Sequence, residues 1–113
     1  MLKMYGIKNC DTMKKAMAFL DAKGIAFEFI DYKKASVAAT HLPDWSVRAG
    51  WQKLLNTRGL MWKKLTDEQR TDVDEAKALA LMAETPSLIK RPVLDTGKDL
   101  LVGFEEATYA KLK

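Results

Sequence analysis

The chain opens with a strand, a helix and a second strand in close succession, and this order restricts the possible folds more than any other feature. An apolar run over residues 2–7 predicts the first strand, and apolar residues at helical spacing predict a helix over 11–23. Gly24 suits the position after a helix end. Residues 25–30 alternate and predict the second strand. A unit of this length is a βαβ crossover, so its two strands are expected to run parallel in one sheet.

The only cysteine of the chain, Cys10, lies between the first predicted strand and the helix. A thiol at a helix start meets unpaired backbone N–H groups and the positive end of the helix dipole, and both stabilise its anion. Lys14, four residues on, adds a cation on the same side. We therefore predict a lowered pKa and a nucleophilic Cys10. The alternative is an inert core thiol, because free cysteine is among the residue types most often buried.

Composition excludes several classes of function. A chain of 113 residues is expected to form one domain, and one cysteine cannot make an internal disulfide. No apolar stretch approaches the length of a membrane span or resembles a signal peptide, so we expect a reducing cytoplasm. A net charge of +4 is too small to predict nucleic-acid binding, and the single His41 has no partner at metal-ligand spacing.

Residues from about 35 to 85 are expected to form a helical insert. Pro43 is predicted to open one helix, and the pair Thr66 and Gln69 fits a capping box at the start of another. A later helix is predicted over 74–83. Its expected buried stripe consists of Ala76, Leu79, Ala80 and Ala83.

The last part of the chain predicts two strands and a helix. The segment 87–95 leads into a third strand, residues 95–99 form a turn, and residues 100–103 form a fourth strand, which together predict a β-hairpin. Residues 105–112 predict a closing helix. The expected architecture is α/β, with a β-α-β half and a β-β-α half that share a four-stranded mixed sheet.

Three motifs resemble one known family. YGIKNCDTMKKA, LLNTRG, and SLIKRPVL followed by LLVGF resemble the arsenate reductase (ArsC) and Spx-like proteins, most closely their one-cysteine YffB-like branch. The resemblance covers nearly the whole chain and implies a thioredoxin-like core. It also implies that Cys10 is the reactive thiol and that Pro92 is a cis-proline facing it.

The chain departs from the family at two places. Where regulator members carry Cys-X-X-Cys, this chain has Cys10-Asp11-Thr12-Met13, so any disulfide must form with another molecule. Of the three arginines that bind oxyanions in the arsenate reductases, Arg91 matches the one before the proline. Arg58 lies two residues past the middle position, and Gly103 with Phe104 stands where the third is expected.

These observations predict a glutathione-dependent thiol/disulfide reductase with Cys10 as its nucleophile. The predicted substrate-binding residues are Arg91, Arg58, Lys8, Lys14, Asn9 and Pro92. For the basic residues the alternative is a solvated surface charge, and Asn9 and Thr12 could simply cap the helix. No bound cofactor is expected; glutathione would be the co-substrate, and glutaredoxin or a disulfide could be a further partner. The resemblance leaves two other functions open: an Spx-like regulator that binds RNA polymerase, and an arsenate reductase that uses an external thiol.

Overall fold

The computed structural model describes residues 1–8, 10–34 and 36–112. Along the chain the elements are β1 (Leu2–Gly6), α1 (Asp11–Ala22), β2 (Phe27–Asp31), α2 (Val37–Ala49), α3 (Trp51–Leu54), α4 (Leu60–Lys63), α5 (Asp67–Arg70), α6 (Glu75–Glu84), a 3₁₀ turn (Pro86–Leu88), β3 (Val93–Asp95), β4 (Leu100–Val102) and α7 (Glu106–Tyr109). The chain divides into two compact units. The sheet unit comprises Met1–Tyr32 with Arg91–Lys113, and the helical unit comprises Lys33–Lys90. Whether the whole chain acts as one domain stays a prediction.

The sheet unit contains a four-stranded mixed sheet in the order β2-β1-β3-β4, as predicted. β1 runs parallel to β2, with Tyr5 opposite Ile30. β3 runs antiparallel to β1, with Val93 opposite Tyr5, and β4 pairs antiparallel with β3. Because β1 and β2 are parallel and β3 is reversed, the carboxyl ends of β1 and β2 and the start of β3 share one edge of the sheet.

Helix α1 ends where the sequence predicts, and the way it ends delays the second strand. Gly24 has a positive φ of 71°, and its N–H donates to the carbonyl of Asp21 at 3.0 Å. The N–H of Ile25 donates to the carbonyl of Leu20 at 3.0 Å, which completes a Schellman motif. Since these N–H groups close the helix, β2 begins at Phe27, two residues later than predicted.

The core of the sheet unit is formed by residues of the sheet and of helices α1 and α7. Its fully buried members are Met4, Met13, Ala16, Leu20, Leu94 and Tyr109. Gly6, at the end of β1, allows the close approach of Met13, because a methyl group at Gly6 would collide with the Met13 side chain. The loop that carries Cys10 therefore starts from a point where helix and strand are tightly packed.

The hairpin is confirmed, but the flanking elements are shorter than predicted. Asp95 accepts a hydrogen bond from the N–H of Gly97 at 2.9 Å, which organises the turn between β3 and β4. The prediction of a closing helix over 105–112 is wrong in its length, since α7 ends at Tyr109. The ammonium of Lys23, the residue that follows α1, donates to the carbonyls of Ala110 and Leu112 and so satisfies groups that a longer helix would pair internally.

In the helical unit, α2 runs through Pro43 instead of starting there, so that prediction is wrong. Pro43 is exposed, whereas Ala38, Leu42 and Trp45 form a buried face that spans it. Burial of this face on both sides of the proline outweighs the backbone hydrogen bond that proline removes.

The position of α6 is confirmed, but its predicted buried stripe is wrong. The residues that it buries are Ala78, Leu81 and Met82, whereas Ala76 and Ala80 are exposed. Every residue from 78 to 83 is apolar, so periodicity does not select one face. Two large side chains lie on the buried face, where they remove more apolar surface from water than alanine would.

The predicted capping box at the start of α5 is confirmed. Thr66 Oγ1 accepts from the N–H of Gln69 at 3.1 Å, and Gln69 Oε1 accepts from the N–H of Thr66 at 2.9 Å.

Candidate functional site

Cys10 is the N-cap residue of α1, at the carboxyl-end edge of β1. Its backbone is extended, with φ of −114° and ψ of 129°, and its carbonyl accepts the first helical hydrogen bond from the N–H of Lys14 at 2.9 Å. The thiol is free and half-buried. This placement confirms the strand, loop and helix predicted around the cysteine.

Arg91 is the cation that reaches the sulfur. Its Nε donates a hydrogen bond to Cys10 Sγ over 3.3 Å, although the two residues are 81 positions apart in the chain. The topology explains this contact: Val93 lies opposite Tyr5 in β1, so the residues just before Val93 fall beside the loop that follows β1. The Arg91-Pro92 peptide bond is cis, as the resemblance implied.

The pKa of the Cys10 thiol lies below its ordinary value because of a balance of opposing effects. Burial acts to raise it. The backbone N–H of Met13, the Arg91 guanidinium and the N–H of Thr12 outweigh burial and lower the pKa. Neither N–H makes a full capping hydrogen bond to the sulfur, so we regard both as oriented dipoles and Arg91 as the direct donor.

Tyr32 joins Cys10 and Arg91 at the site, and it was not singled out in the sequence analysis. It follows β2 directly, is fully buried, and its N–H donates to the carbonyl of Gly6 at 3.1 Å, continuing the parallel pairing of β1 and β2. Its side chain is hydrogen-bonded to that of Arg91. Burial raises the pKa of the Tyr32 phenol, so the hydroxyl is neutral at physiological pH. The available signal was a tyrosine placed just past a parallel strand, at the edge where ligand sites collect.

Within the described part of the chain, the side chains of Lys8 and Lys14 make no hydrogen bond or ion pair with Cys10, Arg91 or Tyr32. Lys8 and Lys14 are exposed, and their role stays a prediction. Asn9 lies outside the described residues. Pro92 is buried at the head of β3, and its carbonyl accepts a hydrogen bond from the N–H of Gly103 at 2.9 Å.

Arg58 belongs to the helical unit, in the loop between α3 and α4. Its N–H donates to the side-chain oxygen of Asn56 at 3.1 Å, an Asx turn, and its side chain is exposed. Asn56 also packs against Gly59, where a side chain would collide with it. The turn is thus well organised, and the convergence of Arg58 with Arg91 stays a prediction.

Residues 1–8, 10–34 and 36–112 contain no group of three or more His, Cys, Asp or Glu side chains arranged to hold a metal ion. Among the same residues, no helix has the length and apolar character needed to cross a membrane.

Comparison with known proteins identifies the family. The sequence model of the ArsC family matches residues 5–112. The chain belongs to the ArsC family. A solved structure of a YffB protein is 48% identical to this ArsC-family chain, with a TM-score of 0.92 and coverage of 97% of this chain and 96% of the other. The fold is therefore thioredoxin-like, as the three motifs implied.

Two curated relatives extend the comparison. A protein of Haemophilus influenzae, described only as uncharacterized, is 37% identical over 109 residues, which cover 96% of each chain. A protein of Enterococcus faecalis named global transcriptional regulator Spx is 29% identical over 116 residues, covering 94% of this chain and 81% of the relative. The chain is thus similar both to a YffB protein and to Spx regulators.

Proposed function

We propose that this protein is a glutathione-dependent thiol/disulfide reductase in which the Cys10 thiolate is the nucleophile. The observation that carries the proposal is the 3.3 Å hydrogen bond from Arg91 Nε to Cys10 Sγ at the N-terminus of α1. A guanidinium and two helix N–H groups around one half-buried sulfur are what an activated thiol requires. An inert core thiol would need none of them.

The reaction needs one protein thiol and two glutathione molecules. The Cys10 thiolate attacks the glutathione sulfur of a mixed disulfide between glutathione and the substrate, forms a disulfide with glutathione, and expels the substrate sulfur as a thiolate that takes up a proton. A second glutathione thiolate then attacks the glutathione sulfur of that adduct, releasing oxidised glutathione and restoring the Cys10 thiolate. The mixed disulfide and one free glutathione thiol thereby become the substrate thiol and oxidised glutathione, and Cys10 is regenerated.

Glutathione suits the chemistry of this edge better than an inorganic oxyanion does. Its two carboxylates match the basic residues Lys8, Lys14 and Arg91 around the start of α1. The guanidinium of Arg91 has five N–H donors, so it can hold the sulfur and still meet a carboxylate. Arsenate reduction with glutathione or glutaredoxin as the external thiol remains a weaker candidate, because Gly103 and Phe104 occupy the place of the third family arginine.

The test is the reaction of the purified protein with oxidised glutathione, followed by intact mass. We expect one glutathionyl group on the native protein and none on Cys10→Ser. The folded chain should react faster than the urea-unfolded chain at equal pH, because only the fold supplies the helix start and Arg91. Equal or faster reaction of the unfolded chain would contradict the proposal.

A second candidate function is that of a regulator, and the similarity to Spx over 94% of the chain favours it. The partner implied by the family resemblance is RNA polymerase. The two functions separate on one variant: binding by a regulator without a second cysteine should survive Cys10→Ser, whereas reductase activity should not. Immobilised protein and purified RNA polymerase provide the binding measurement.

A further inference from the structure

Arg91 connects two side chains that lie just past the ends of neighbouring strands, Cys10 after β1 and Tyr32 after β2. Its Nε donates to Cys10 Sγ at 3.3 Å, and its side chain is also hydrogen-bonded to Tyr32. Tyr32 is fully buried, and its backbone N–H donates to the carbonyl of Gly6, so its backbone is fixed to the parallel pair β1 and β2. Tyr32 is therefore a rigid partner for a longer and more flexible side chain.

We propose that Tyr32 is a positioning residue that holds the Arg91 guanidinium against the sulfur of Cys10. This inference deepens the proposed function and rests on it, because it assigns the residue that keeps the nucleophile activated. Tyr32 itself touches no reacting atom in this role; it acts through Arg91.

The physical argument concerns the conformational freedom of arginine. A half-exposed arginine that donated only to the sulfur would exchange this contact for water, at a gain in side-chain entropy. A second hydrogen bond to a buried phenol limits that exchange, because the planar fork of the guanidinium meets two acceptors in one orientation. Lysine carries a point charge and lacks this planar fork. The arrangement thus explains why an arginine, and not a lysine, stands before Pro92.

The experiment measures the thiolate directly and uses no glutathione. Tyr32→Phe keeps the buried ring and removes only the hydroxyl. Titration of thiolate absorbance near 240 nm, a wavelength characteristic of the anion, should show the midpoint of Cys10 rising by about half a pH unit, about a threefold change in its acid dissociation constant. The ratio of alkylation rates with iodoacetate and iodoacetamide should fall by a similar factor, because a displaced guanidinium no longer attracts the anionic reagent.

Three further variants separate positioning from a general structural effect. In an Arg91→Gln background, Tyr32→Phe should produce no additional change, since the residue acts only through Arg91. Tyr109→Phe is the matched control: Tyr109 is also fully buried in the sheet unit, and its hydroxyl has no hydrogen-bond partner within the described residues. It should leave the midpoint and the ratio unchanged. Arg91→Lys should raise the titration midpoint of Cys10 although it keeps the charge. If Tyr32→Phe does not fold, the Arg91→Lys result tests whether the guanidinium must be held in position.

An unchanged midpoint in Tyr32→Phe would overturn the proposal, and so would an equal shift with and without Arg91. Wild-type behaviour of Arg91→Lys would overturn it as well. Failure of the native protein to react with oxidised glutathione would refute the reductase function but would leave these titrations unaffected. The two failures are therefore distinguishable.

Discussion

Replacing Arg91 with glutamine should raise the pKa of Cys10, and the structure sets the expected size of the effect. Two unit charges 3.3 Å apart interact by about 1 kcal/mol in bulk water and by about 5 kcal/mol at an effective dielectric constant of about 20. Both side chains are half-buried, so solvent screens part of this interaction. A hydrogen bond to a charged group contributes about 1.5–3 kcal/mol, which corresponds to a rise in pKa of about 1 to 2.

The assay is thiolate absorbance near 240 nm, the range where the thiolate absorbs, followed as a function of pH with Cys10→Ala as the blank. Lys23→Gln is the matched control, because it removes the same charge at the other end of α1. Its residue lies about 20 Å along the helix from Cys10, roughly two Debye lengths at physiological salt. We expect the Lys23→Gln midpoint to equal that of the native protein.

A different outcome would refute the reasoning about the site. If Arg91→Gln leaves the midpoint in place, the N–H groups at the helix start alone hold the thiolate, and the 3.3 Å contact carries no energetic weight. If Lys23→Gln shifts the midpoint as much as Arg91→Gln does, the effect reflects net charge and not a specific hydrogen bond.

Three other predictions follow from the same structure. Folding lowers the pKa of Cys10 below its unfolded value of about 8.5, so between the folded and unfolded pKa values the folded state binds fewer protons than the unfolded state. The stability of the native protein relative to Cys10→Ser should therefore rise with pH through that window, and this stability difference should disappear in acid. Denaturant unfolding at several pH values measures it. Gly6→Ala should destabilise the protein by about 1–3 kcal/mol, because the added methyl group displaces Met13 from the core, and an unchanged unfolding midpoint would contradict this packing. Arg58→Gln should slow the reaction with oxidised glutathione more at low salt than at high salt. An equal effect at both salt concentrations, or no effect, would indicate that Arg58 is only a solvated surface charge.

The candidate site shows which inferences a sequence supports. Cys10 could be placed at a helix start because the strand before it and the helix after it have different hydrophobic periods. Arg91 was singled out through its motif, but the sequence contains no measure of its distance from the sulfur. Tyr32 was missed because its role depends on a hydrogen bond to Arg91, which neither residue's neighbours in the chain predict.

The predictions that were wrong in the helical unit also failed because they depended on contacts between residues distant in the chain. Local rules place a helix start at Pro43, yet α2 continues through it because Leu42 and Trp45 are buried on one face. In α6 every position from 78 to 83 is apolar, so only packing selects Leu81 and Met82 for the buried side. In both helices a tertiary contact outweighs a weak local preference.

The sequence by itself determined those features that depend on near neighbours in the chain: the βαβ start, the helix end at Gly24, the capping box at Thr66, and the position of Cys10. Only the tertiary structure decided what surrounds the sulfur. The contact between Cys10 and Arg91 spans 81 positions and exists because β3 runs antiparallel beside β1, which places the start of one strand at the end of the other. Hydrogen bonds and charges act over a few ångströms of space, and the sheet, not the order of residues, sets which groups come within that range.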